Sequence, residues 1–212
     1  AQTAALTTAQ VAALSTAQLV ALDSADLAQL STAAIVALST EQVSKLTPAQ
    51  VAALSTAQMR AIATADLQAL TSGQIQALSA TQLGALSSAQ VQALTTSQVA
   101  AIDPADLGAL PTATLVALST AQVRALTPTQ MAALTTDQAP RLTTAQVAAL
   151  DTVDLVQLST AAVRSLGTAQ VQALTGGQVV ALTTDQIAAL TAPRVASLDG
   201  SDLALLSASQ LA

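Results

Sequence analysis

Phe, Trp, Tyr, His and Cys are all absent from the 212-residue chain. Without His or Cys there is no thiol nucleophile, imidazole base, thiolate zinc site or disulfide, and only carboxylate or amide oxygens could hold a metal. Without aromatic rings there is no platform on which bases or sugars stack. Charge is scarce too: 8% of residues are charged, six are basic, and the net charge is −6 with a pI near 4.1. Nucleic-acid binding needs clustered Lys and Arg, and these six are scattered. Although 52% of residues are hydrophobic, Ser, Thr, Gln or Asp interrupts every apolar stretch well short of the roughly 18 residues that span a bilayer. The sequence therefore predicts no enzyme, no cofactor, no nucleic-acid partner and no membrane insertion. Absence of cysteine is compatible with secretion. The opening on Ala1, with neither an initiating Met nor a signal peptide, fits a processed product or a slice of a longer array.

What is present is one pattern. The stretch Leu142 to Leu150, LTTAQVAAL, defines an octad with position a at Thr143 and h at Leu150, and its register holds from residue 7 to 206 without insertion or deletion. That gives 25 full octads, with partial ones at 1–6 and 207–212, and predicts a single solenoid over 1–212. Position h is Leu except at Ile62 and Ile102, and e is Val, Leu, Ile or Met except at Ala139. Positions c and g are mostly Ala, which marks them as places of close approach. Position f varies most, as at Arg60, Gln68, Gly84 and Arg124, and reads as facing solvent.

The polar positions predict local structure. Position a is usually Ser, Thr or Asp and d is usually Gln or Asp, as in Ser15 with Gln18 and Thr143 with Gln146. This is capping-box spacing, so a helix should start afresh in every octad. Pro48, Pro104 and Pro128 all fall at b, the first helical residue, where a missing N–H costs nothing. In one long helix each would cost about 3 kcal/mol. Pro111 and Pro193 are also tolerable near a start. Pro140, at f beside Ala139, predicts a local defect.

Each octad thus reads as a helix of about seven residues leading directly into the next cap. Helices so short are marginal alone, so octads need neighbours on more than one side. The predicted fold is all-α: a tightly wound solenoid of about 25 capped short helices. The alternative is a β-solenoid, against which h and the following e would point to opposite faces of a strand. Asp followed by Leu at d and e occurs at Asp26, Asp66, Asp106, Asp154 and Asp202, spaced 40, 40, 48 and 48. This rhythm fits either duplication of a larger unit or a superhelical turn of five to six octads.

Four features invite a sharper reading. The pairs Asp23 and Asp26, Asp103 and Asp106, Asp151 and Asp154, and Asp199 and Asp202 could ligate calcium or act as acid and base, but Asp suits an N-cap and the positive end of a helix dipole. They are read as caps, with no metal or catalytic site. Consecutive Thr residues at a and b, as in Thr7-Thr8 and Thr183-Thr184, would form ladders on stacked octads and could order water, as ice binding requires. The small residues at c and g read as soluble close packing, not a membrane dimer seam. Thr47-Pro48-Ala49-Gln50-Val51 is similar to the opening helix of the DNA-reading repeats of transcription activator-like effectors, but the 34-residue period, base-reading loop and basic stripe are missing. It is a generic helix start.

The LTTAQVAAL unit at strict eight-residue spacing resembles the octapeptide-repeat regions of very large secreted or cell-surface bacterial proteins, many of them adhesin-like. The resemblance carries no active site and implies an extracellular structural or adhesive role. The ends point the same way. A soluble solenoid normally has polar terminal repeats, whereas the last full octad is apolar. Ala1, Gln2 and Leu6 at one end and Leu203, Leu205, Leu206 and Leu211 at the other are the expected self-assembly residues, stacking copies head to tail into a filament or stalk. The alternative function is a surface-binding module, with ice as ligand of the Thr and Ser ladders.

Overall fold

A computed structural model describes residues 6–211. Among them the chain forms twenty-five α-helices of four to six residues, α1 (Thr8–Ala12) to α25 (Ala208–Leu211), and no strand. One helix starts in each full octad except 135–142, where the 3-10 segment Ala139–Arg141 stands in its place. The fold is the predicted all-α solenoid of short capped helices, and the β-solenoid is excluded.

Local chemistry dictates this division. In α6 (Pro48–Ala52) the Thr47 side chain accepts from the Gln50 N–H, the Gln50 side chain accepts from the Thr47 N–H, and proline stands at the helix start. The helices are shorter than the expected seven residues because the h leucine leaves helical geometry. After α5 (Thr40–Lys45), Leu46 has φ −53° and ψ 141°, while its N–H still reaches the Val43 carbonyl at 3.2 Å. Each helix thus closes on a tight i to i−3 bond and passes extended into the next cap. No described residue has a positive φ, so the helices end without a left-handed residue.

Two compact units are present, Ala1–Asp106 and Leu107–Ala212. Each is built the same way. In the first, α1 packs on α4 (Thr32–Val36) and α4 on α7 (Thr56–Ala61); in the second, α18 (Thr152–Leu155) packs on α21 (Gly176–Ala181) and α21 on α24 (Gly200–Leu205). These partners are three octads apart. The superhelical turn of five to six octads is therefore overturned.

Positions d, e and h form the buried face, since d and h lie four apart and e and h three apart on one side of the chain. In octad 47–54, Gln50, Val51 and Leu54 are buried while Ala49 and Ala52 are exposed. Position f faces outward as expected. Position c does not mark close approach: it is exposed in most octads. The interior place expected of small residues is instead taken by the polar residue at d.

Candidate functional site

The side chains that join one turn to the next are the glutamines at d. Most use both ends of the amide, as Gln42 does. The oxygen accepts from its own cap N–H, at 2.6 Å for Thr71 with Gln74 and 3.1 Å for Thr135 with Gln138. The nitrogen donates to the carbonyl of the h leucine 28 residues earlier, at 2.7 Å from Gln42 to Leu14 and 3.0 Å from Gln138 to Leu110. It also reaches the e carbonyl 31 residues earlier, as from Gln98 to Leu67 at 2.7 Å. Donor and acceptors lie four octads apart, whereas packed helices lie three apart, so a turn holds between three and four octads. The d glutamines from Gln42 to Gln186 are buried, and no buried side-chain polar atom among the described residues lacks a partner. The capping half of this arrangement is legible in the sequence; the donating half was missed. Its signal is the absence of Glu from d: a cap needing only an acceptor would take Glu too, yet the one Glu, Glu41, lies at c.

An Asp at d has no N–H to donate and turns instead to position b of the helix three octads earlier. Thr40 Oγ1 donates to Asp66 Oδ1 at 2.6 Å, and the Ala80 N–H donates to Asp106 Oδ1 at 2.9 Å. At Gly176 a Cβ would lie 3.1 Å from Asp202 Oδ1. The residue in the corresponding place for Asp154 is Pro128, which has neither N–H nor hydroxyl. Asp154 is buried, and its carboxyl is pushed above the usual range by burial, with the Asp151 charge adding to the rise.

The expectation that Asp at a caps its own helix holds unevenly. Asp199 accepts from the Ser201 hydroxyl at 2.6 Å and the Asp202 N–H at 2.8 Å, which hold its carboxyl below the usual range. Asp103 accepts from the Ala105 N–H at 2.8 Å. Asp23 and Asp151 make no side-chain cap bond, a correction to the sequence reading. Asp151 instead lies 3.6 Å from Arg124 Nε. No cluster of three or more acidic side chains that could hold a metal occurs among the described residues.

Two arginines at f repeat a second turn-to-turn contact. Arg60 Nε donates to the Ala85 carbonyl at 3.0 Å and Arg124 Nε to the Ala149 carbonyl at 3.2 Å. At Gly108 the same neighbour comes so close that a Cβ would lie 2.7 Å from the Ala133 oxygen.

Of the expected assembly residues, Ala1 and Gln2 lie outside the described residues. Leu6, in the first unit, is half-buried. In the second, Leu203 is half-buried, Leu206 is buried, and Leu205 and Leu211 are 53% and 63% exposed. The threonines at b are mostly exposed, as at Thr56, Thr64, Thr96 and Thr120. No helix among the described residues is long and apolar enough to cross a membrane.

The ALTTAQ repeat family model matches residues 19–56, 59–96, 99–136 and 147–184. Each match begins seven residues before one of Asp26, Asp66, Asp106 and Asp154, so the long rhythm follows the family unit and not the superhelical turn. No curated protein matches the chain.

Proposed function

The chain belongs to the ALTTAQ repeat family, whose unit matches four times and covers most of its length, and on that premise we propose that it is a non-enzymatic structural scaffold. In this reading it forms, or is part of, an extracellular or cell-surface filament, stalk or adhesin-like array in which turns stack through the glutamine row. Its partner is a second copy of the chain or further octads of the same kind.

The glutamine contact carries the reading. Its donor and acceptor sides are different surfaces that recur from octad to octad, so the contact is heterologous, and a heterologous contact that does not close propagates. Gln10 and Gln18 keep their cap bonds at 2.9 Å, while their amide nitrogens have no acceptor among the described residues. In the second unit the Leu190 and Leu198 carbonyls receive no glutamine. These are matching halves of the same contact. Adhesive and extracellular placement comes from the resemblance of the octads to cell-surface repeat regions.

Electron microscopy across a range of protein concentration tests this. Long uniform fibres that lengthen with concentration are expected, and Gln10→Glu with Gln18→Glu should shorten them while leaving helicity intact. Single particles at every concentration would overturn assembly from the chain alone.

A further inference from the structure

Octad 135–142 departs from the repeat at three consecutive positions: Ala139 stands where other octads carry a bulky residue, Pro140 occupies f, and Arg141 occupies g, where Ala predominates. Pro140 has no N–H to return to the preceding turn, and the backbone tightens to 3-10 at Ala139–Arg141. The family matches are separated by two residues at 57–58 and 97–98 but by ten at 137–146, so an additional octad's length falls here.

The irregular backbone is nonetheless held on both sides. Gln138 makes both cap bonds with Thr135, at 3.1 and 3.2 Å, and donates to the Leu107 and Leu110 carbonyls at 2.9 and 3.0 Å. Gln170 in turn donates to the Ala139 and Leu142 carbonyls at 3.0 and 2.7 Å. Ala139 stays buried, while Pro140 and Arg141 carry the departure outward on a fixed frame, the condition a binding site needs. Thr112, Thr136, Asp137, Pro140 and Arg141 line a recess of about 470 Å³. Asp137 and Arg141 are exposed, and neither side chain has a hydrogen-bond or ion-pair partner among the described residues. Arg60 and Arg124, in contrast, are engaged with backbone carbonyls.

We propose that this recess binds a small zwitterion of the α-amino-acid type. The Arg141 guanidinium matches a carboxylate with two parallel donors. Asp137 matches the ammonium group, the Thr112 and Thr136 hydroxyls serve remaining polar atoms, and the Pro140 ring offers an apolar wall. One charge of each sign in a single recess favours a zwitterion over a simple anion or cation.

Backbone NMR of the whole chain, titrated with free alanine and separately with acetate and methylammonium, tests the assignment. Alanine should produce saturable shifts in the amides of Thr136, Asp137, Arg141 and Leu142, with acetate and methylammonium weaker by about tenfold or more. Arg141→Ala and Asp137→Ala each install the residue commonest at that position, so they preserve the fold, and each should abolish the response. Absence of saturable shifts, shifts that persist in both variants, or an equal response to acetate and alanine would overturn the proposal.

Discussion

Glutamine at d serves its own octad through its oxygen and an octad of the preceding turn through its nitrogen, and that division sets the cost of each substitution. Gln98→Glu keeps the acceptor for the Thr95 N–H but places a carboxylate against the Leu67, Gln68 and Leu70 carbonyls. We expect urea unfolding to show a loss of about 2–3 kcal/mol, because a buried acceptor pair is left without a donor. Gln10→Glu, where only the cap bond exists, should cost far less. Asp154 supplies a pH-dependent case. Its folded pKa is raised, so its favourable contribution is complete below the unfolded value near 3.8 and is lost as the pH rises through the folded value. Pro128→Thr would supply the hydroxyl that Thr40 gives Asp66. This variant should exceed the parent in stability at neutral pH, with the gap closing on acidification; urea midpoints over a pH series measure it, and a gap constant with pH would trace the effect to the proline backbone instead.

A single octad is mostly legible from its own eight residues. The cap at a, the reciprocal bond from d, the proline at b and the apolar pair at e and h all follow from spacing within one helix turn, and each is where the sequence places it. Burial of d and exposure of c were not legible, because they depend on a chain segment four octads away whose position is fixed only once the superhelix closes a turn. Failed caps at Asp23 and Asp151 have the same origin for Asp151: Arg124, 27 residues earlier, competes for the carboxylate; nothing in the structure explains Asp23. The repeat also predicts where elements can be improved or harmed. Ala162 occupies d without an amide, so no glutamine reaches the Leu134 carbonyl or the Met131 carbonyl, the latter accepting from the Leu134 N–H at 3.2 Å, and Ala162→Gln should add about 1 kcal/mol to thermal stability. Gly108→Ala should destabilise by about 1–3 kcal/mol, since its methyl would meet the Ala133 oxygen.

For the molecule as a whole, the register matters more than any one octad. Every turn-to-turn bond runs between equivalent positions, so removing a whole octad returns every later residue to an equivalent partner. Deletion of 135–142 is expected to retain the parent's helical circular dichroism per residue, whereas deletion of 139–142 should abolish cooperative unfolding by moving the buried e residues to the outward-facing a positions and the h leucines to the places of the d glutamines. Similar loss from both deletions would mean that the frame depends on particular octads and not on their phase. The overall class, an all-α repeat array, is legible because 25 octads repeat the same choices. The number of octads per turn was not, since no residue within a unit encodes which distant unit it will meet.

The uniformly negative φ of the described backbone has a consequence for inheritance. No described position demands left-handed geometry, and the need for glycine at Gly108 comes from the nearby Ala133 oxygen, so backbone conformation imposes no unique site that a duplication or loss must respect. Unequal recombination between eight-codon blocks would pass through such a gene in frame and in phase, making array length a heritable variable that selection can tune separately from the chemistry of any one block.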